Sequence, residues 1–99
     1  MPRAISLATL VVADYDEAIA WYTGKLGFRL IEDTQLGEGK RWVVVAPQED
    51  SAMRRLLAKA ADAAQEAAIG NQTGGRVFLF LETDDFGRDH AAMVRAGVV

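Results

Sequence analysis

His90 is the sole histidine in the chain and the one side chain whose ordinary pKa lies near neutrality. A general base needs a cleft and a partner. His90 stands beside Arg88 and Asp89, a setting that reads more simply as a solvated helix surface. Glu82 would become a base if desolvated; the plainer reading is a carboxylate in water at a strand edge. Asp84 and Asp85 form an acidic pair, but helix capping accounts for them without a metal. Trp42, next to Arg41, is of the type that stacks on a ligand ring, and equally of the type that fills a core between sheet and helix. There is no cysteine, which excludes a Cys nucleophile, a thiolate metal site and a disulfide together.

The elements that would position these residues are legible from spacing. Ile5 to Val12 is apolar and β-branched, which suits a buried strand. Asp14, with Glu17 three residues on, resembles a capping box. Tyr15, Ala18, Ile19, Tyr22 and Leu26 then recur at helical spacing, and Gly27 follows as a stop. This predicts a helix over residues 14–26. Trp21 falls off its apolar stripe, so it reads as partly buried or as a rim contact. Phe28 to Asp33 and Arg41 to Ala46 read as strands around a hairpin loop at Gln35 to Gly39, and Pro47 ends the second.

Residues 51–69 are ambiguous. Ala52, Met53, Leu56, Leu57, Ala60, Ala61, Ala64 and Ala68 fit a helical stripe, and alanine is the best helix former. Gly70 to Gly75 is a loop, and it lies between helix and strand, whereas a dinucleotide fingerprint needs strand, loop, then helix. Asn71 and Gln72 are placed to tie this loop to the sheet. Arg76 to Thr83 reads as a strand. A last helix follows, capped by Asp84 or Asp85, with Phe86, His90 and Met93 on one face and Gly97 at its end. The series strand, acidic turn, helix, glycine thus occurs twice, at Leu7 to Gly27 and at Phe78 to Gly97.

The chain has 99 residues, enough for one small domain, with 51% hydrophobic and 25% charged residues. Eleven basic against fourteen acidic residues give a net charge of −3, which supplies no positive field for a nucleic-acid backbone. No apolar run approaches the roughly 20 residues of a membrane span. The N-terminal stretch meets Asp14, Asp16 and Glu17 without a signal-peptide pattern, so the expectation is a cytoplasmic protein.

The run from Leu10 to Tyr22, LVVADYDEAIAWY, continued by Lys25-Leu26-Gly27-Phe28, resembles the opening motif of the vicinal oxygen chelate superfamily. This superfamily contains glyoxalase I, bleomycin- and fosfomycin-resistance proteins and extradiol dioxygenases. Gly74 to Phe86, GGRVFLFLETDDF, is similar to the start of the second module in glyoxalase-like members. The resemblance implies an α+β fold: a βαβββ module and the start of a second, forming a curved mixed sheet with helices outside. It implies one glyoxalase-like domain over residues 1–99, with the first module over about 1–70 and a partial second over about 75–99. It places a strand near Arg54 to Ala60 and a short helix over Asp62 to Ala68, although the alanine content keeps a longer helix open. Three further strands are expected beyond the second helix, where the sequence stops at Val99. An unfinished sheet exposes an edge and apolar surface, and many relatives are homodimers, so a homodimer is expected.

Family members that bind a divalent metal hold it with His, Gln or Glu side chains on the inner strands, where it acts as a Lewis acid. The corresponding positions here are Leu7, a position near Leu56, and Phe78, none of which has a lone pair to donate. No metal and no other cofactor is therefore expected. By two-residue alternation Thr9 shares a face with Leu7, and Phe80 and Glu82 share one with Phe78. With Trp42 these residues make the expected cavity lining: Leu7, Thr9, Trp42, Phe78, Phe80 and Glu82. The expected function is binding of a small hydrophobic or aromatic molecule without metal, as in the bleomycin-resistance branch. Two alternatives stay open: a metal-dependent lyase, isomerase or dioxygenase with ligands from a further segment or a partner chain, and a structural or regulatory dimer without ligand.

Overall fold

A computed structural model describes residues 3–98. Strand β1 (Leu7–Val12) leads into helix α1 (Tyr15–Lys25). The strands β2 (Arg29–Gly37), β3 (Lys40–Ala46) and β4 (Arg54–Lys59) follow, then the helices α2 (Ala63–Ala68) and α3 (Phe86–Arg95). The four strands form one unclosed sheet in the order β1-β4-β3-β2. β4 runs parallel to β1, pairing Leu7 with Arg54 through Val12 with Lys59, and antiparallel to β3.

The predicted start and stop of α1 are both present. The Asp14 carboxylate accepts from the Glu17 amide at 2.8 Å, and Gly27 takes a φ of 70° where the chain leaves the helix. Tyr15 and Ala18 are buried against the sheet, with Ile19, Tyr22 and Leu26 packed beside them. Leu10 and Val12 of β1, Val43 and Val45 of β3, and Leu57 of β4 meet them from the sheet side. These residues alternate with Leu7, Thr9, Trp42, Val44 and Leu56, which therefore belong to the opposite face.

The alanine-rich stretch divides as the family resemblance implies, and against local helix propensity. Residues 54–59 form β4, which has a partner on each side, and Leu57 on it is fully buried. Tertiary pairing overrides the preference of the isolated segment. The helical remainder is confined to α2. There the Asp62 carboxylate accepts from the Gln65 amide, and the Gln65 side chain accepts from the Ala61 amide at 2.7 Å.

One expected strand is corrected. Residues 77–83, after a bend at Arg76, form no regular element and join no ladder. Strand pairing needs a neighbour, and the outer edge of β1 is engaged at Val11 by a side chain. Gln72 donates to the Val11 carbonyl at 2.7 Å and accepts from the Val11 amide at 3.3 Å. The loop is thus tied to the sheet as its polar residues suggested. After it, Asp85 caps α3 by accepting from the Arg88 amide, while Asp84 pairs with the Arg88 guanidinium at 3.1 Å.

The burial of Leu57 sets an expectation for stability. Leu57→Ala should cost about 2–5 kcal/mol, the usual range for a truncated core leucine. Urea unfolding followed by circular dichroism measures it; a loss below about 1 kcal/mol would contradict the central placement of β4.

Candidate functional site

The face of the sheet turned away from α1 carries a pocket of about 420 Å³. Leu7 and Val44 form its apolar floor, Trp42 its aromatic wall, and Glu32 and Arg54 contribute opposite charges. Trp42 keeps 37% of its surface exposed, which leaves its ring available to a stacking partner. Arg54 donates from Nε to the Ser51 carbonyl at 3.4 Å and from a terminal nitrogen to the Glu49 carbonyl at 3.2 Å. It thereby holds the loop between β3 and β4 at the pocket rim. Glu32 accepts from the Thr34 hydroxyl at 3.1 Å. The pocket can hold a flat apolar group against Trp42 and orient a polar substituent with the two charges.

Trp42 is fixed by its neighbour in sequence. Arg41 points to the α1 side and grips Asp33 with two hydrogen bonds, at 3.1 and 2.6 Å, and Asp16 with one at 2.9 Å. Its guanidinium lies 5.2 Å from the centre of the Tyr15 ring, and its backbone amide donates to the Tyr15 hydroxyl. The β2–β3 hairpin is thus clamped to the first turn of α1, and the residue after the clamp presents its indole to the other face. The hydrogen bonds from Arg41 hold the Asp33 carboxyl below the usual carboxylate range.

The six residues expected to share a cavity do not all come together. Leu7 and Trp42 line the pocket. Thr9 is on the same face, exposed and outside the lining. Phe78 is in the other layer, packed against the core that α1 covers, with the Arg55 guanidinium 4.6 Å from its ring centre. Phe80 is 88% exposed. Glu82 lines a separate groove between the end of α1 and α3. The unpaired course of residues 76–83 is the physical reason: no ladder draws this segment onto the sheet. Arg54 and Glu32 escaped the sequence reading. Arg54 could have been found by alternation from Leu56, whereas a bulge between Leu30 and Glu32 resets the phase that would have pointed to Glu32.

His90 is exposed on α3, where its ring stacks on Phe86 with centres 5.3 Å apart. Trp21 is 41% exposed and meets Tyr22 edge-on. The residues at the family's metal-binding positions do not fit a metal ion. Leu7 and Leu56 have no donor atom, and Phe78 lies in the other layer. Among the described residues no group of three His, Cys, Asp or Glu side chains is placed to hold one. No helix among them is long and apolar enough to cross a membrane.

The chain matches the sequence model of the Glyoxalase/Bleomycin resistance protein/Dioxygenase superfamily over residues 4–99. It is 54% identical over 99 residues to an uncharacterized protein of Shewanella frigidimarina (strain NCIMB 400), covering 99% of this chain and 73% of that one. Among solved structures it is similar to UcmS2, with a TM-score of 0.78 and 26% identity over 98% of this chain and 77% of that chain. It is also similar to TnmS3, an antibiotic binding protein from Streptomyces sp. CB03234. There the TM-score is 0.72 and the identity 27%, over 97% of this chain and 72% of that chain. The likeness to a superfamily member from Sphaerobacter thermophilus DSM 20745, 22% identical with a TM-score of 0.64, concerns the fold alone. The chain belongs to the glyoxalase/bleomycin resistance/dioxygenase superfamily.

The Arg41 clamp has a pH signature. A carboxyl with a depressed folded-state pKa adds stability that is complete above its unfolded value of about 3.9 and is lost as pH falls through the folded value. Thermal melts should therefore show the wild type weakening below about pH 4. Asp33→Asn should be less stable at neutral pH and lose less of its stability on acidification. Parallel curves for the two proteins would contradict the clamp.

Proposed function

We propose that this protein binds a small, flat, hydrophobic or aromatic molecule on the free face of its sheet, without a metal, and sequesters it rather than transforming it. The observation that carries this reading is Trp42, a half-exposed indole over the floor made by Leu7 and Val44, with Arg54 and Glu32 at the margin. A wall and floor of this kind recognise shape and apolar surface, and a few charges fix orientation. The similarity to TnmS3, an antibiotic binding protein, supports a binding role at the level of the superfamily. The apolar side chains at the family's metal positions support the metal-free form, in a cytoplasmic protein that pairs as a homodimer.

Naphthol is a suitable probe, read by quenching of tryptophan emission in a Trp21→Phe background so that Trp42 is the one tryptophan. Saturable quenching is expected. Loss of the aromatic wall in Trp42→Ala, followed by calorimetry, should weaken binding by about 1–2 kcal/mol, or roughly 5–30-fold. Unchanged affinity in Trp42→Ala, or quenching that never saturates, would overturn the assignment of the pocket.

Elemental analysis of the purified protein should find well under one divalent metal ion per chain. A stoichiometric metal, with metal-dependent turnover of a glyoxalase or dioxygenase substrate, would favour the enzymatic reading instead.

A further inference from the structure

Arg54 and Glu32 stand at opposite margins of the Trp42 pocket and both line it. On the floor between them, Leu7 is the register partner of Arg54, and Val44 is the register partner of Glu32. Their strands, β4 and β2, are separated by β3, so the two backbones are about 10 Å apart across the sheet, or two strand spacings. No ion pair joins the two side chains. Each charge therefore faces the pocket without the other to neutralise it.

The two charges are not equivalent. Arg54 is half-buried, and its bonds to the Ser51 and Glu49 carbonyls fix the direction of its guanidinium. These bonds use two of the five N–H groups that a guanidinium carries, and both go to neutral oxygens. The other N–H groups have no hydrogen-bond partner, and the charge has no carboxylate, among the described residues. Glu32 is exposed on β2, where solvent screens it, and it accepts from the Thr34 hydroxyl. A guanidinium already braced by its own loop loses little freedom on gaining a further partner. Its remaining fork of donors matches a carboxylate in plane and spacing.

We propose that the molecule held against Trp42 is an aromatic acid. Its ring lies over Leu7 and Val44, and its carboxylate pairs with the open edge of Arg54. Glu32 repels the acid group from the far margin and so sets which way round the molecule lies. This rests on the binding reading of the Trp42 pocket and adds to it the charge of the ligand.

Calorimetry at neutral pH with 2-naphthoate and 2-naphthol tests this in the full chain. The two share a ring system and differ in the acidic group. Naphthoate should bind at least about tenfold more tightly, the gain expected of a charge-assisted pair. Arg54→Met, which keeps length and removes charge, should weaken naphthoate by about tenfold or more and leave naphthol within about twofold. If naphthol binds and naphthoate binds no more tightly, the acid is overturned and the binding reading stands. If neither binds, both fall together. Equal losses for the two ligands in Arg54→Met would make Arg54 a brace for its loop alone, and would also overturn the proposal. Should Arg54→Met fail to fold, the nitrogen-15 resonance of the Arg54 Nε–H group in the wild type decides. It should shift saturably with naphthoate and not with naphthol; a resonance that stays fixed, or follows both alike, counts against the pairing.

Discussion

The parallel pairing of β1 with β4 is the constraint on which the other features depend. The two strands are separated in sequence by a helix and a hairpin, and only their register brings Leu10 beside Leu57. Once β4 is inserted between β1 and β3, the sheet acquires two unequal faces. One is closed by Tyr15 and Ala18 of α1 and contains the fully buried Leu57, Val43 and Val45. On the other, no helix among the described residues contributes to the pocket lining, so Leu7 and Trp42 remain available. The free face is thus a direct result of a topology in which a single crossover helix covers one side.

Charges reinforce this division. Arg41 and Trp42 are adjacent in sequence and point to opposite faces, so one residue secures the hairpin to α1 while the next reaches the pocket. Arg54 and Arg55 repeat the arrangement on β4. Arg54 reaches carbonyl oxygens of the neighbouring loop, and Arg55 turns inward beneath Phe78. Neighbouring residues on a strand cannot share a face, so two identical side chains acquire unlike surroundings.

Much of this was legible in the sequence, for local reasons. Helix α1 was bounded by Asp14 and Gly27, whose roles depend on backbone geometry a few residues away. The hairpin loop was marked by Gly37 and Gly39, both of which take positive φ. β4 was not legible from propensity, since Arg-Arg-Leu-Leu-Ala-Lys has no strand signature and becomes a strand through partners distant in sequence. The recurrence of the family motif supplied what local preference lacked. For the candidate site, alternation put Thr9 on the face of Leu7, and Trp42 joined the lining by residue type; the structure brings Leu7 and Trp42 to one pocket with Thr9 outside its lining. Phe78 was placed with Leu7 through the repeated motif, and with residues 76–83 outside the sheet no ladder carries it to that face.

The bond pair between Gln72 and Val11 bears on how the molecule behaves among its copies. A bare outer strand offers hydrogen-bonding groups to any chain that passes, and crowded protein solutions coarsen through such contacts. Here an amide from the same chain occupies both groups of one residue in the second half of that strand. A passing strand would have to evict it before zippering along the rim. One glutamine therefore obstructs pairing at this point of the rim while leaving the Trp42 pocket untouched.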